Sequence, residues 1–172
     1  MSHTGTLAAE RRIACRPLTA EAFAPFGDVL EAAGAPDFAI NGGMCDRFHN
    51  RARLEFLGEG ARAGISIGHG RPYPLPHPLA LVERHPLGSQ AFLPMTEDPF
   101  LVIVAPDEDG RPGRPLAFLT RPGQGVNYLR NVWHGVLTPL GRASGFVIVD
   151  RIGPGDNLEE WAFDEPWMVE AA

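Results

Sequence analysis

Glu83-Arg84-His85-Pro86-Leu87-Gly88-Ser89-Gln90-Ala91-Phe92 reads as two strands joined by a bend, with unusually polar chemistry on one side. Successive side chains of a strand alternate between faces, so Glu83 and His85 share one side while Arg84 takes the other. Pro86, Leu87 and Gly88 interrupt the run, and Gln90 begins the return strand. A second polar cluster follows later, Asn127-Tyr128-Leu129-Arg130-Asn131-Val132-Trp133-His134. A carboxylate, an imidazole and a carboxamide from one hairpin can therefore meet His134 from a later strand. The pattern predicts an antiparallel β-structure built around that meeting point.

The same strand signals recur on either side. Phe100 to Ala105 is a continuous apolar, β-branched run of the kind buried on both faces, and Leu116 to Thr120 and Ser144 to Ile152 read as further strands. At the end of the last, Asp150 and Arg151 fall on opposite faces, and each is expected to find a structural ion-pair partner. Gly64 to Arg71 alternates cleanly, with glycines that let something approach its backbone, and Arg71 to Pro78 is an extended connector. Upstream, Thr19 caps a short helix closed by Pro25 and Gly27, and Asp46 to Phe56 reads as a polar strand on which Arg47 and His49 share a face. That face suits either a ligand or plain solvation. Asn157 to Trp167 reads as an edge strand or docked extension. About ten short strands with turn signals at roughly ten-residue intervals, one or two short helices and no βαβ alternation predict an all-β sandwich or barrel. Residues 1–11 are unpatterned and expected to be a tail, leaving 12–172 as one domain.

Composition narrows the function. At 172 residues the chain can bury on the order of 70% of its unfolded surface in one core. A net charge of -6 argues against a nucleic-acid surface and in favour of a small-molecule partner. No apolar run has the length of a membrane-spanning helix, and no signal core is visible, so the expected location is the cytoplasm. Cys15 and Cys45 fit neither a disulfide framework nor a metal knot. All 15 basic residues are arginine, which excludes lysine Schiff-base chemistry and suits recognition of a planar carboxylate.

Glu83, His85, Gln90 and His134 form Glu-x-His, then four residues, then Gln, then a distant His. The cupin barrels place His-x-His, three or four residues, Glu and a late His around a divalent metal, and this chain resembles that pattern with Glu in place of the first His and Gln in place of Glu. Glu and His are good ligands and Gln a poor one. Over Glu83 to Met95, Gly123 to His134 and the Asp150-Arg151 ending, with a weaker match at Leu18 to Gly27 and Arg47 to His49, the chain resembles the bacterial ureidoglycolate lyase family. The resemblance implies a single cupin-like antiparallel barrel of jelly-roll type, a homodimer, a nickel ion with no organic cofactor, and cleavage of (S)-ureidoglycolate to glyoxylate and urea.

Such a substrate is a carbinolamine bearing a carboxylate, so its cleavage needs a base at the hydroxyl, an acid at the departing nitrogen and a cation for the carboxylate. The implied roles are base for His85 aided by Glu83, or for a metal they hold, and proton donor to urea for His134. Gln90, Asn127 and Tyr128 would bind the ureido group. Arg47 or Arg71 would take the carboxylate, Arg84 only through a twist of its strand. The family pattern has a basic residue after the Ile-Ser-Ile strand, where this chain has Gly68-His69-Gly70-Arg71, so His69 or Arg71 is expected to supply that contact. Two rivals are a metal-dependent cupin oxygenase or isomerase and a non-catalytic cupin that binds a small acid.

Overall fold

A computed structural model describes residues 11–171 of the chain, and strands dominate it. The first half contains Arg12–Ala14 (β1), Arg16–Pro17 (β2), Gly27–Leu30 (β3), Phe38–Ile40 (β4), Cys45–Arg47 (β5), Arg62–Gly70 (β6) and His77–Arg84 (β7). The second contains Gln90–Pro94 (β8), Phe100–Ala105 (β9), Asp107–Glu108 (β10), Arg111–Pro112 (β11), Leu116–Leu119 (β12) and Gly125–Tyr128 (β13). Trp133–His134 (β14), Thr138–Pro139 (β15), Ser144–Ile152 (β16) and Glu159–Glu170 (β17) complete it. One helical turn, Ala20–Phe23, is capped by Thr19, whose hydroxyl accepts from Ala22 N at 3.2 Å.

An eight-stranded sheet runs β1-β17-β7-β14-β9-β12-β2 with β15 added on β9, and a five-stranded sheet runs β3-β13-β8-β16-β6. Between them lies an aromatic core to which β9 gives Phe100, Val102 and Val104, β8 Phe92, β13 Val126 and Tyr128, and β16 Phe146. Each such side chain contributes roughly 1.5–3 kcal/mol relative to exposure. The other side of β9, Leu101, Ile103 and Ala105, is buried in a second cluster with Trp133, Val82 and Val169, against which Trp161, Phe163 and Trp167 pack. This explains the uninterrupted apolar run read in the sequence. The result is a nearly closed, cupin-like β-barrel, as expected.

Some local expectations are corrected. Of the predicted 46–56 strand only Asp46 and Arg47 lie in a strand, β5, and Phe56 adds one isolated bridge to Gly88. The backbone donors between find side chains instead: His49 N bonds Asp37, Arg53 N bonds Asp28 and Glu55 N bonds Ser89. The pairing is not wholly antiparallel, since β1 lies parallel to β17 and β2 parallel to β12. β17 is no edge strand; it pairs with both β1 and β7. Residues 1–10 of the expected tail lie outside the described residues, while Arg11 is fixed by its carbonyl, which accepts from Met168 N at 2.8 Å.

Candidate active site

The site lies where β7, β8, β13 and β14 end at one mouth of the barrel. Glu83 on β7 stands directly opposite His134 on β14, and Gln90 on β8 opposite Tyr128 on β13. His85 follows Glu83 with parity preserved, so its ring returns to the same side, 5.2 Å from that of His134 between centroids. One ligand atom from each of Glu83, His85 and His134 lies within 4.8 Å of the others, with the His85 Nε2 to Glu83 Oε1 separation 3.9 Å.

Both imidazoles are held in orientation by backbone carbonyls. His85 Nδ1 lies 2.7 Å from Asn157 O, and His134 Nδ1 3.1 Å from Gly135 O. A carbonyl can only accept, so each Nδ1 carries a hydrogen and each Nε2 is the atom turned to the cavity. Both Nε2 atoms are buried and lack a hydrogen-bond partner. Burial lowers the His134 pKa to about 3, the neighbouring His85 adding to the effect. Glu83 is raised by burial, with His85 opposing and Glu160 reinforcing the shift. Tyr128 stacks on His134 at 4.3 Å and 6°, and burial together with the Glu83 charge keeps its phenol protonated.

Two buried ring nitrogens without hydrogen-bond partners and a carboxyl group converging on one point are costly alone and become favourable around a cation. The donor set, with imidazole orientation fixed from behind by carbonyls, suits a divalent first-row ion. The residues present therefore fit the metal implied by the resemblance. Gln90 points to the same interior face as Phe92, and its Oε1 is buried and unpartnered, which leaves it free to accept a hydrogen bond.

Other candidates fall elsewhere. Asn127 alternates away from Tyr128 and is fully buried on the other face of its sheet, donating to Asp28 and to Arg53 O at 3.0 Å each. His69 is paired with Gly145, five rungs from the Gly64–Asp150 pair beside the site, roughly 16 Å along the strand. His69 and Arg71 line a separate cavity of about 540 Å³ with Tyr73 and Leu137. Arg47 lies exposed on the β4–β5 ribbon, its guanidinium over Phe38, whose ring also meets that of His49, which is the solvated-edge reading of that pair. Arg84 faces outward to Asp107 and Glu159 with its guanidinium over Trp133.

The sequence reading missed three neighbours. Asn157 holds His85 through its carbonyl and Leu87 N through its side chain at 2.7 Å, yet its surroundings read only as a turn. Arg130, at the β13–β14 corner, donates to Pro86 O at 3.2 Å, and Asn131 N bonds His85 O at 2.9 Å. Asp150 and Arg151, expected on opposite faces and each to find a structural partner, differ in outcome. Adjacent strand residues point to opposite faces, and Arg151 donates to Leu57 O, Gly153 O and Pro154 O, while Asp150 Oδ1 is buried without a hydrogen-bond partner.

Comparison with known proteins bears on this geometry. The family model described as ureidoglycolate lyase matches residues 10–170. A ureidoglycolate lyase of Chelativorans sp. (strain BNC1) is 61% identical over 159 residues, covering 92% of this chain and 96% of that protein. One from Rhodobacter capsulatus is 60% identical, covering 92% and 98%, and ureidoglycolate lyase 2 of Rhizobium meliloti is 58% identical, covering 91% and 96%. With a match that runs through every strand of the barrel and both halves of the polar cavity, the chain belongs to the ureidoglycolate lyase family.

Proposed function

We propose that this protein is a carbon–nitrogen lyase that eliminates urea from (S)-ureidoglycolate, leaving glyoxylate, in allantoin degradation. The observation that carries the reading is the convergence of Glu83, His85 and His134 on one buried point. Glu83, His85 and His134 would hold a divalent ion, nickel by family resemblance, which supplies Lewis-acid polarisation of the substrate oxygens.

The remaining chemistry belongs to the side chains. A carboxylate oxygen of Glu83 left free by the ion accepts the hydroxyl proton; the C–O bond becomes a carbonyl as the C–N bond breaks; and the same carboxyl returns the proton to the departing urea nitrogen. His134 is unsuited to the proton-donor role expected from the sequence. Its Nδ1 hydrogen is committed to Gly135 O, and its Nε2 resists protonation in a dry cavity. It serves as a lone-pair donor whose position Tyr128 fixes by stacking. Arg130, which donates to Pro86 O beside His85 and lies 3.8 Å from the Glu55 carboxylate, would exchange that partner for the substrate carboxylate. The protein is taken to work in the cytoplasm as a homodimer, and light scattering reports the second of these directly.

Racemic ureidoglycolate is the test substrate, with urea and glyoxylate measured before and after treatment with a chelator. Equal release of both products, lost on chelation and restored by nickel, is expected. Folded protein that releases neither sinks the lyase reading; release indifferent to chelation sinks the metal alone. A two-histidine, one-carboxylate set also serves iron oxygenases, and oxygen consumption by iron-loaded protein would favour that reading.

A further inference from the structure

Asp150 has no role in the chemistry above, and its surroundings are unusual for a carboxylate. On β16 it shares parity with Phe146, which is fully buried in the aromatic core, and with Ile148, which packs against it. Asp150 therefore projects into the barrel. Along β8 the register pairs Val149 with Ala91, and the next rung sets Asp150 beside Gln90, itself opposite Tyr128. On its other side Asp150 is paired with Gly64, which brings no side chain into the space. Arg151 is turned away and engaged with three carbonyls.

Asp150 Oδ1 and Gln90 Oε1 are both buried and both without a hydrogen-bond partner. Two adjacent acceptors without donors form an incomplete arrangement, since a buried acceptor left unpaired costs free energy that a complementary ligand recovers. The ligand they suit carries neighbouring N–H groups and no negative charge at that end. Resting on the lyase reading, we propose that Asp150 and Gln90 form the ureido subsite: the NH2 and N–H groups of the substrate donate to Asp150 Oδ1 and Gln90 Oε1. This holds the leaving group on the wall opposite the carboxylate-binding corner. A site built on acceptors for N–H groups rejects analogues that lack them far more strongly than an apolar pocket does.

The test is steady-state kinetics of the metal-loaded wild type, Asp150→Leu and Asp150→Asn, with urea and glyoxylate each used as product inhibitors. Asp150→Leu keeps the branched shape and removes both carboxylate oxygens; kcat/KM for ureidoglycolate is expected to fall on the order of 10- to 100-fold and the urea inhibition constant to rise comparably. Glyoxylate inhibition should stay within about twofold, a selectivity that a merely structural role would not produce. Asp150→Asn keeps one oxygen acceptor and should lose less, and it carries the test should the leucine variant not fold. Unchanged urea inhibition in a folded variant, or parallel loss of urea and glyoxylate affinity, overturns the proposal. Should the wild type release no urea from ureidoglycolate, the lyase reading fails separately; urea binding to wild type and variant, followed by saturation-transfer NMR, still decides whether the subsite exists.

Discussion

His134 shows how one residue is prepared by its surroundings. Tyr128 covers one ring face, Gly135 O takes the Nδ1 hydrogen, and burial, with His85 beside it, holds the pKa near about 3. Its folded pKa lies below the ordinary 6.5, so between those values the unfolded chain binds the extra proton. The stabilisation is thus complete above 6.5 and lost progressively as pH falls toward about 3, a change on the order of a few kcal/mol in metal-free protein. Imidazole ¹⁵N NMR at pH 5 should show His134 as the neutral Nδ1–H tautomer; a titration midpoint near 6.5 would refute this. At the opposite corner, Arg130→Met should raise KM for ureidoglycolate about tenfold with kcat less affected, in keeping with lost binding of a carboxylate. Steady-state kinetics separates the two constants, and an effect confined to kcat would remove Arg130 from that role.

At the scale of the element, the loop from β16 to β17 is a strap over the site. Arg151, 7% exposed, ties Leu57, Gly153 and Pro154 together, and Asn157 then fixes His85 and Leu87. Arg151→Met would strand three carbonyls and is expected to destabilise the protein by about 3 kcal/mol in guanidinium unfolding, an unchanged midpoint arguing against the strap. Asn157→Ala frees Leu87 N and should weaken nickel binding and turnover about tenfold with little change in unfolding midpoint, as calorimetry and assay can show. How far such elements were legible depended on which rule governed them. Alternation alone set Glu83 and His85 against Arg84, and periodicity found β9 and β16. The same alternation set Asp150 and Arg151 on opposite faces and also separates Asn127 from Tyr128, so assigning Asn127 and Tyr128 to one role was a misreading of available information. The distance of His69 and Arg71 from the site depends on register across β6, β16 and β8, which pairing fixes and local sequence does not. Asn157 reaches His85 through its main-chain carbonyl, which leaves no trace in side-chain chemistry.

The whole molecule places the chemistry where its two sheets meet. β7 and β14 of the larger sheet bring Glu83 and His134, β8 and β13 of the smaller bring Gln90 and Tyr128, and the aromatic core below holds both walls at fixed spacing. Side chains held around one centre by one core should act as a unit, and losing any of them should cost nearly what losing all of them costs. The most direct measurement is therefore urea release by folded His85→Gln, His134→Gln and the double variant under nickel saturation. Each single change is expected to reduce turnover on the order of 10²-fold or more, with the double variant no lower than the worse single. Losses that multiply, or wild-type turnover in either single variant, would mean that the two rings do not serve a common centre.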